Sequence, residues 1–238
     1  LDYLLAALAL PGGGFASSED ADSDGQEGLY YTLSADEFAA AAGSAAPLAG
    51  AVLGVTPDGV LEGRNVLHRA RPAAAVAAEA GVSAAEVERA VAEALAGVRS
   101  LRSRRVRPER DDKTVAAWNG LAIRALAEAA AVLGEPRYLE AAESAGRFAL
   151  VELRRADGRL LRASRAGAGE VTGFCDDYAA LALGLFALFR ASGDPAWFHA
   201  GAGLIDDMED LFSDRDTGAF FATGGDAEAQ IARPANLA

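Results

Sequence analysis

Two pairs of adjacent aspartates are the groups in this sequence best suited to acid–base chemistry, and each pair lies close to an aromatic residue. The carboxylates are Asp111, Asp112, Asp176 and Asp177, and the aromatic residues are Trp118 and Tyr178. One carboxylate can act as a general acid and another as a base, while an aromatic ring can stack on the apolar face of a sugar. Asp is also a common helix N-cap and is favoured at the positive end of a helix. The pairs therefore predict either catalysis on a carbohydrate or the capping of helices.

Five polar residues complete the predicted substrate site. They are Asn119, Arg64, Asn65, Glu19 and Asp20. Glu19 and Asp20 open an acidic run that does not fit a calcium-binding EF-hand loop, because the twelfth position counted from Asp20 is Tyr31 rather than an acid. Another cation site and a hydrogen-bonded acidic turn both stay open for that run. Because the chain has only two histidines, we expect no metal site, and no motif indicates a cofactor.

Helical hairpins that repeat at an offset of 59 residues position both aspartate pairs. Gly134-Glu-Pro-Arg-Tyr-Leu-Glu resembles Gly193-Asp-Pro-Ala-Trp-Phe-His, and in each copy Gly ends one helix while Pro begins the next. The pattern predicts a largely apolar inner helix and a half-polar outer helix in each copy. Both aspartate pairs then lie at the N-termini of inner helices, around one mouth of a ring of hairpins.

The predicted fold class is all-α, an incomplete α/α toroid of repeated helical hairpins with short β-turn connections. The predicted segments are the end of an earlier hairpin, an insertion with two helices, a hairpin, and a hairpin with a truncated end, at residues 1–28, 29–110, 111–170 and 171–238. The capping boxes Ser34–Glu37 and Ser83–Glu86 predict where the two helices of the insertion begin.

Charge and composition exclude several classes of partner. Lys and Arg number 22 against 35 Asp and Glu, and the net charge of −13 argues against nucleic acid and against an anionic membrane surface. Hydrophobic residues make up 51% of the chain, which is enough for a core. No continuous apolar run approaches the roughly 18 residues that span a bilayer, and the single Cys175 cannot form an internal disulfide. We expect a cytoplasmic protein whose ligand is a carbohydrate or another small molecule.

Five ordered blocks run through nearly the whole chain. They begin with Gly13-Gly-Phe-Ala-Ser-Ser-Glu-Asp-Ala-Asp, Glu62-Gly-Arg-Asn-Val-Leu-His, Asp111-Asp-Lys-Thr-Val-Ala-Ala-Trp-Asn-Gly, Asp176-Asp-Tyr-Ala and Phe212-Ser-Asp-Arg-Asp-Thr-Gly. Together they resemble the thioredoxin-domain-containing, spermatogenesis-associated-protein-like family. The resemblance implies an α/α toroid similar to six-hairpin glycosidases and N-acylglucosamine 2-epimerases, preceded by a thioredoxin-like domain. That domain and the remaining hairpins are missing from this sequence and are its expected partners in a longer protein.

Two functions follow from these residues and this resemblance. The first is an epimerase-like or hydrolase-like enzyme that acts on a carbohydrate with carboxylates at the mouth of the toroid. The second is a non-catalytic binding scaffold attached to the thioredoxin-like domain, in which the aspartates cap helices. Carboxylates with free oxygens in a cavity would favour the enzyme, whereas carboxylates bonded to backbone N–H groups would favour the scaffold.

Overall fold

The structure is a computed structural model that describes residues 1–169, 171–227 and 234–236. Within these ranges it has eight α-helices and eight strands of two residues each. The helices are α1 (Ala35–Ala42), α2 (Ala46–Leu53), α3 (Ala73–Ala80), α4 (Ala84–Arg102), α5 (Ala116–Leu133), α6 (Pro136–Glu152), α7 (Cys175–Ser192) and α8 (Pro195–Phe212). The strands are β1 (Ser18–Glu19), β2 (Asp22–Ser23), β3 (Gln26–Glu27), β4 (Arg110–Asp111), β5 (Thr114–Val115), β6 (Ala163–Ser164), β7 (Phe220–Phe221) and β8 (Ala235–Asn236).

Four antiparallel ladders join these strands in the pairs β1–β4, β2–β3, β5–β6 and β7–β8. The chain divides into two compact units. The first unit comprises Leu1–Glu19 and Arg110–Ala238, and the second unit comprises Asp20–Glu109. The second unit contains most of residues 29–110, the segment predicted as an insertion.

Two helical hairpins, α5–α6 and α7–α8, make up most of the first unit. Gly134 and Gly193 end the inner helices in the left-handed conformation, with φ of 68° and 73°. Pro136 and Pro195 begin the outer helices, where the missing N–H of proline has no partner to lose. The predicted all-α class, with repeated hairpins and short β connections, is confirmed.

Glycines bring the two inner helices of the first unit into close contact. A Cβ on Gly120 would lie 2.5 Å from the backbone of Ala180, and one on Gly184 would lie 2.6 Å from the carbonyl oxygen of Gly120. Ile123 and Leu181 are fully buried in the core that α5 and α7 share. Among the described residues, α5 is the one helix long and apolar enough to cross a membrane, with a mean hydropathy of 1.2. It packs against α6 and α7, and 33% of it is buried.

Three consecutive glycines fit the N-terminal segment of the chain against α6. A Cβ on Gly14 would lie 2.5 Å from the ring of Phe148, and one on Gly13 would lie 2.5 Å from Oγ of Ser144. Gly13 also has a φ of 104°, in a region that side chains rarely adopt. The glycine run therefore serves close packing, and a short π-helical turn, Leu4–Leu8, precedes it.

Helices α1 to α4 form the core of the second unit. Both predicted capping boxes are present, because Ser34 and Glu37 exchange bonds between side chain and backbone, as do Ser83 and Glu86. Helices α1 and α4 therefore begin where the sequence predicts. The insertion was expected to have two helices, and α2 and α3 lie between those two. Each has only eight residues and neither starts with a side-chain cap, so they carry little signal in the sequence.

Candidate functional site

A short ladder between β5 and β6 separates two cavities in the first unit. Thr114 pairs with Ser164, and Val115 pairs with Ala163. Because side chains alternate along a strand, Thr114 and Ser164 lie on one face and the other pair lies on the opposite face. The Trp118 cavity, of about 240 Å³, is lined by Lys113, Val115, Trp118, Arg162, Ala163 and Val171. The Ser164 cavity, of about 460 Å³, is lined by Leu10, Asp112, Phe148, Glu152, Ser164 and Arg165 among others.

The sequence Trp118-Asn119-Gly120 at the start of α5 gives each residue a different role. Trp118 is 56% exposed and forms part of the wall of the Trp118 cavity. Asn119 is buried, and its side-chain amide accepts from the N–H of Phe15 at 2.8 Å and donates to the carbonyl of Phe15 at 3.1 Å. Gly120 makes the close contact with α7. Trp118 is therefore accessible to a ligand, whereas Asn119 anchors the N-terminal segment of the chain.

Asp177 has no exposed surface, and both of its carboxylate oxygens accept hydrogen bonds. Oδ1 accepts from the N–H of Ala117 in α5 at 3.1 Å. Oδ2 accepts from the N–H of Phe174, the N-cap of its own helix, at 2.9 Å, and from the guanidinium of Arg162 at 3.2 Å. One carboxylate thus satisfies an N–H at the N-terminus of each inner helix, where such groups have no partner within the helix.

The repeat explains why Asp177 serves two helices. It is the third residue of α7, and the equivalent third residue of α5, 59 positions earlier, is Trp118. An acid at this position can bond to backbone N–H groups at the helix start, but an indole cannot accept such bonds. Helix α5 has no acid in its first turn, and the carboxylate for Ala117 comes from the next repeat.

The environment separates the two members of the Asp176–Asp177 pair. Burial raises the pKa of Asp177, and the charge of Asp176 acts in the same direction, against hydrogen bonds from Phe174 and Ala117 and the charge of Arg162. The side chain of Asp176 is 61% exposed, and its carboxylate lies 3.6 Å from Arg162, which lines the Trp118 cavity. Asp177 therefore positions Arg162 and two helices, while Asp176 keeps an accessible carboxylate next to that cavity.

Asp111 and Asp112 lie near different cavities. Asp111 accepts from the N–H of Lys113 at 3.1 Å, and its other oxygen lies 3.1 Å from the Lys113 ammonium. These hydrogen bonds from Lys113 lower the pKa of Asp111. Asp112 lies 2.5 Å from Nε of Arg110 and lines the Ser164 cavity. Asp111 is thus linked to the Trp118 cavity through Lys113, and the structure does not gather the four predicted acids in one cavity.

Tyr178, predicted as a second sugar platform, is completely buried and presents no ring face to a ligand. Its hydroxyl accepts from the N–H of Leu160 at 2.9 Å and from the guanidinium of Arg159 at 2.7 Å. Its ring packs edge-to-face against Phe212, with centroids 5.4 Å apart. Tyr178 therefore holds the connection between α6 and α7 in place through its hydroxyl. Its ring lies on the side of the inner helix that is buried in the core.

Arg64 and Asn65 belong to the second unit, and the protein itself occupies their polar groups. The amide of buried Asn65 accepts from the N–H of Thr56 at 2.9 Å and donates to the carbonyl of Thr56 at 3.0 Å. Arg64 lies 2.7 Å from Glu37 and donates from Nε to the hydroxyl of Thr32 at 2.8 Å. Arg64 also borders a cavity of about 500 Å³ within this unit.

Glu37 forms the centre of a charged cluster in the second unit. One of its oxygens lies 2.8 Å from Arg105, which donates to the carbonyls of Leu29 and Thr32 at 2.5 and 2.6 Å. Burial opposes ionisation of Glu37, but the N–H of Ser34 and the charges of Arg105 and Arg64 outweigh it and lower the pKa. The cluster holds the Leu29–Thr32 segment against α1.

Glu19 and Asp20 form hydrogen bonds near the start of the acidic run. Glu19 accepts from the hydroxyl of Tyr3 at 2.7 Å, and Asp20 accepts from the N–H of Asp22 at 3.1 Å. The bond between Asp20 and Asp22 is the kind expected for a hydrogen-bonded acidic turn, one of the two alternatives for this run. In the parts of the chain that the structure describes, no group of three or more His, Cys, Asp and Glu residues is arranged to hold a metal ion.

Several residues that line the two cavities were not among the predicted site residues. They are Phe148, Glu152, Arg162, Ser164 and Arg165. Glu152 ends an outer helix, and Arg162, Ser164 and Arg165 follow in the connection to α7, where the sequence shows no periodic pattern. Only the pairing of β5 with β6 brings this connection beside the residues that precede α5.

The chain is similar to spermatogenesis-associated protein 20 from mammals. It is 32% identical to the Homo sapiens protein over 262 residues, which cover 94% of this chain and 33% of that protein. It is 30% identical to the Mus musculus protein over 270 residues, which cover 97% of this chain and 34% of that protein. The resemblance inferred from the five blocks is confirmed, and the chain spans about a third of the length of the curated relatives it matches. No protein-family model matches the chain.

Solved structures of sugar enzymes align with most of the chain at low similarity. Cellobiose 2-epimerase from Bacillus thermoamylovorans is 12% identical, with a TM-score of 0.45, and the match covers 94% of this chain and 55% of that one. Unsaturated glucuronyl hydrolase from Bacillus sp. GL1 is 15% identical, with a TM-score of 0.43, and the match covers 92% and 57%.

Proposed function

We propose that the first unit binds a neutral carbohydrate at the Trp118 cavity and that the longer protein processes this sugar. The observation that carries the proposal is the half-exposed indole of Trp118, held on a rigid inner helix at the wall of a small cavity. The flat apolar face of the indole suits stacking on a sugar ring, and its N–H can donate to a hydroxyl.

The charges around the Trp118 cavity favour a neutral polar ligand. Lys113 and Arg162 line the cavity, but each is already paired with acids: Lys113 with Asp111, and Arg162 with Asp176 and Asp177. These ion pairs cancel most of the positive charge, so the cavity has N–H donors in its wall and carboxylate acceptors on the residues paired with them. Sugar hydroxyls both donate and accept, so they can bond to both kinds of group.

In this proposal the accessible acids Asp111 and Asp176 are the candidates for proton transfer. Asp177 has every oxygen occupied, so it orients Arg162 and does not meet the sugar. Asp112 lies on the other face of the β5–β6 ladder and has no part in this reaction. The proposal thus keeps two of the four predicted catalytic carboxylates.

Calorimetry with glucose and cellobiose tests the binding step. We expect Trp118→Ala to weaken binding at least tenfold and Trp118→Phe to keep most of it, because the phenyl ring retains a stacking face. Leu121→Ala is the matched control, since Leu121 is 53% exposed on the same helix and is absent from the cavity lining. The binding proposal fails if neither sugar binds, or if Trp118→Ala binds as tightly as the unchanged protein.

A separate measurement tests sugar processing. We expect NMR spectra of a panel of mono- and disaccharides incubated with the longer protein to show slow conversion, which Asp176→Asn or Asp111→Asn abolishes without changing the melting temperature. Asp206→Asn, an exposed acid on α8, is the control and should leave turnover unchanged.

A non-catalytic scaffold is the second candidate, and the complete occupation of Asp177 by backbone N–H groups and Arg162 favours it. In that case sugar binding persists without turnover, and the asparagine variants of Asp111 and Asp176 behave like the unchanged protein. An attached thioredoxin-like domain and a cytoplasmic location remain predictions from the sequence.

A further inference from the structure

The Ser164 cavity contains two opposite charges that do not pair with each other. Glu152 and Arg165 both line it, and within the described residues neither takes part in an ion pair or a side-chain hydrogen bond. Most other arginines of the first unit are paired with an acid, as Arg159 is with Asp226 and Arg162 is with Asp177. The cavity therefore offers a free carboxylate and a free guanidinium to one ligand.

Glu152 lies where a negative charge is unfavourable for its own helix. It is the last residue of α6, so its carboxylate adds to the negative end of the helix dipole. Its Oε2 lies 3.7 Å from the place of a Cβ on Gly167, so Glu152 reaches toward the turn that carries Arg165. Glu152 and Arg165 are both exposed, so water solvates their charges, and a cation beside Glu152 would in addition offset the negative helix end.

The hydroxyl of Ser164 is an independent sign of a missing partner. Ser164 is only 3% exposed, and its Oγ forms no hydrogen bond within the described part of the chain. A buried hydroxyl without a partner costs free energy, so such groups are rare unless something else satisfies them. Ser164 lines this same cavity, and among the described residues of that lining its Oγ is the one buried side-chain polar atom without a hydrogen-bond partner.

The rest of the Ser164 cavity has polar groups that already have partners and one apolar side. Asp112 is paired with Arg110, and the hydroxyl of Thr114 donates to the carbonyl of Ser164 at 3.0 Å. Leu10 and Phe148 form the apolar side, and the close packing of Gly12 and Gly14 against the Phe148 ring fixes the position of that ring. A ligand that fills the cavity must therefore combine charge at one side with an apolar body at the other. A neutral sugar would leave both Glu152 and Arg165 without a counter-charge.

We infer that the Ser164 cavity binds a zwitterion of amino-acid size with an apolar side chain. Its ammonium group bonds to Glu152 and its carboxylate bonds to Arg165, while the hydroxyl of Ser164 bonds to either end. Its side chain packs on Phe148 and Leu10. This site is separate from the Trp118 cavity, because the two lie on opposite faces of the β5–β6 ladder.

Calorimetry on the full chain with L-leucine tests this inference. We expect leucine to bind at least tenfold more tightly than 3-methylbutylamine or 4-methylpentanoate, which are leucine without its carboxylate and without its amine. Arg165→Gln and Glu152→Gln should each weaken leucine binding about tenfold, since each removes a charge-assisted hydrogen bond. Arg215→Gln and Glu140→Gln are the matched controls, because both residues are exposed elsewhere in the first unit.

Ser164→Ala gives a second readout that does not depend on the two charges. It should weaken leucine binding several-fold and leave the melting temperature unchanged or higher, because an unsatisfied hydroxyl has been removed. The inference is overturned if leucine does not bind, if either half of leucine binds as tightly as the whole, or if the Arg165 and Glu152 variants match their controls. Binding of glucose that Phe148→Leu abolishes, without leucine binding, would instead identify a sugar site.

Discussion

Glu37 in the second unit and Asp177 in the first occupy the same position and make the same first bond, yet their surroundings differ. Each is the third residue of a helix, and each accepts from the N–H of its own N-cap at 2.9 Å. The carboxylate of Glu37 also pairs with two arginines, and its side chain stays about a third exposed. The carboxylate of Asp177 also accepts hydrogen bonds from a backbone N–H of a second helix and from one arginine, and it is entirely buried.

The two carboxylates consequently titrate in opposite directions. The pKa of Glu37 is lowered, because the N–H of Ser34 and two guanidinium groups outweigh burial. The pKa of Asp177 is raised, because burial outweighs its three donors. A local helix-start motif thus sets the first hydrogen bond of each carboxylate, whereas tertiary packing sets whether its pKa is raised or lowered.

The largest expected effect is the loss of stability on replacing Asp177 by Asn. The new amide group would face backbone N–H or guanidinium donors, which leaves buried donors unsatisfied at the start of α5 or α7. We expect Asp177→Asn to lower the free energy of unfolding by about 3 kcal/mol, measured by urea denaturation. Asp176→Asn is the control, and its exposed side chain should make the change smaller than about 0.5 kcal/mol. Equal effects from the two variants would contradict the double capping role of Asp177.

A smaller effect is expected for the matching change in the second unit. Glu37→Gln keeps an acceptor for the N–H of Ser34, since Gln also completes a capping box, but it removes the charge that faces Arg64 and Arg105. Because Glu37 is partly exposed, we expect a loss of about 1 kcal/mol in the same denaturation experiment. A loss as large as that of Asp177→Asn would show that exposure does not distinguish the two sites.

The smallest and most specific effect is the change with pH in the stability lost on Glu37→Gln and on Asp177→Asn. Glu37 has a lowered pKa, so its stabilisation is present above its ordinary value of 4.5 and is lost as pH falls through the folded-state value. Asp177 has a raised pKa, so the folded protein holds its proton more tightly and loses stability as pH rises from the ordinary value of 3.8 through the folded-state value. On acidification, the cost of Glu37→Gln should therefore shrink while the cost of Asp177→Asn grows.

NMR titration of the carboxyl carbons checks this directly: the pKa of Asp177 should lie above its ordinary value of 3.8, and the pKa of Glu37 should lie below its ordinary value of 4.5. A pKa below 3.8 for Asp177 would mean that the donors around it outweigh its burial.

The helical hairpins could be predicted from sequence because local signals mark both of their ends. Gly134 and Pro136, like Gly193 and Pro195, mark a helix end and the next helix start almost side by side, and the structure has helices that end and begin there. The two capping boxes mark helix starts in the same way. Helices α2 and α3 have no such marks, and their burial against α4 is a tertiary effect that local patterns do not show.

The site could be predicted only in part, because residue type does not determine which side of a helix faces the core. Trp118 and Tyr178 both follow an aspartate pair, but Trp118 is half-exposed and Tyr178 is buried. Successive side chains of a helix point about 100° apart, so the adjacent residues Asp176 and Asp177 of α7 face solvent and the core respectively. The Ser164 cavity depends on a strand pairing between segments 50 residues apart, as in the bond from Thr114 to Ser164.

The bond from Ala117 to Asp177 joins one repeat to the next and couples the two hairpins. The stability of a repeat protein is approximately the sum of the stabilities of its repeats and of the interfaces between neighbours. Here the first hairpin cannot complete the start of its inner helix until the second supplies a carboxylate. Partial unfolding of the second hairpin would therefore also loosen the start of α5, including Trp118. Local opening at one repeat is thus transmitted to the candidate ligand surface of its neighbour.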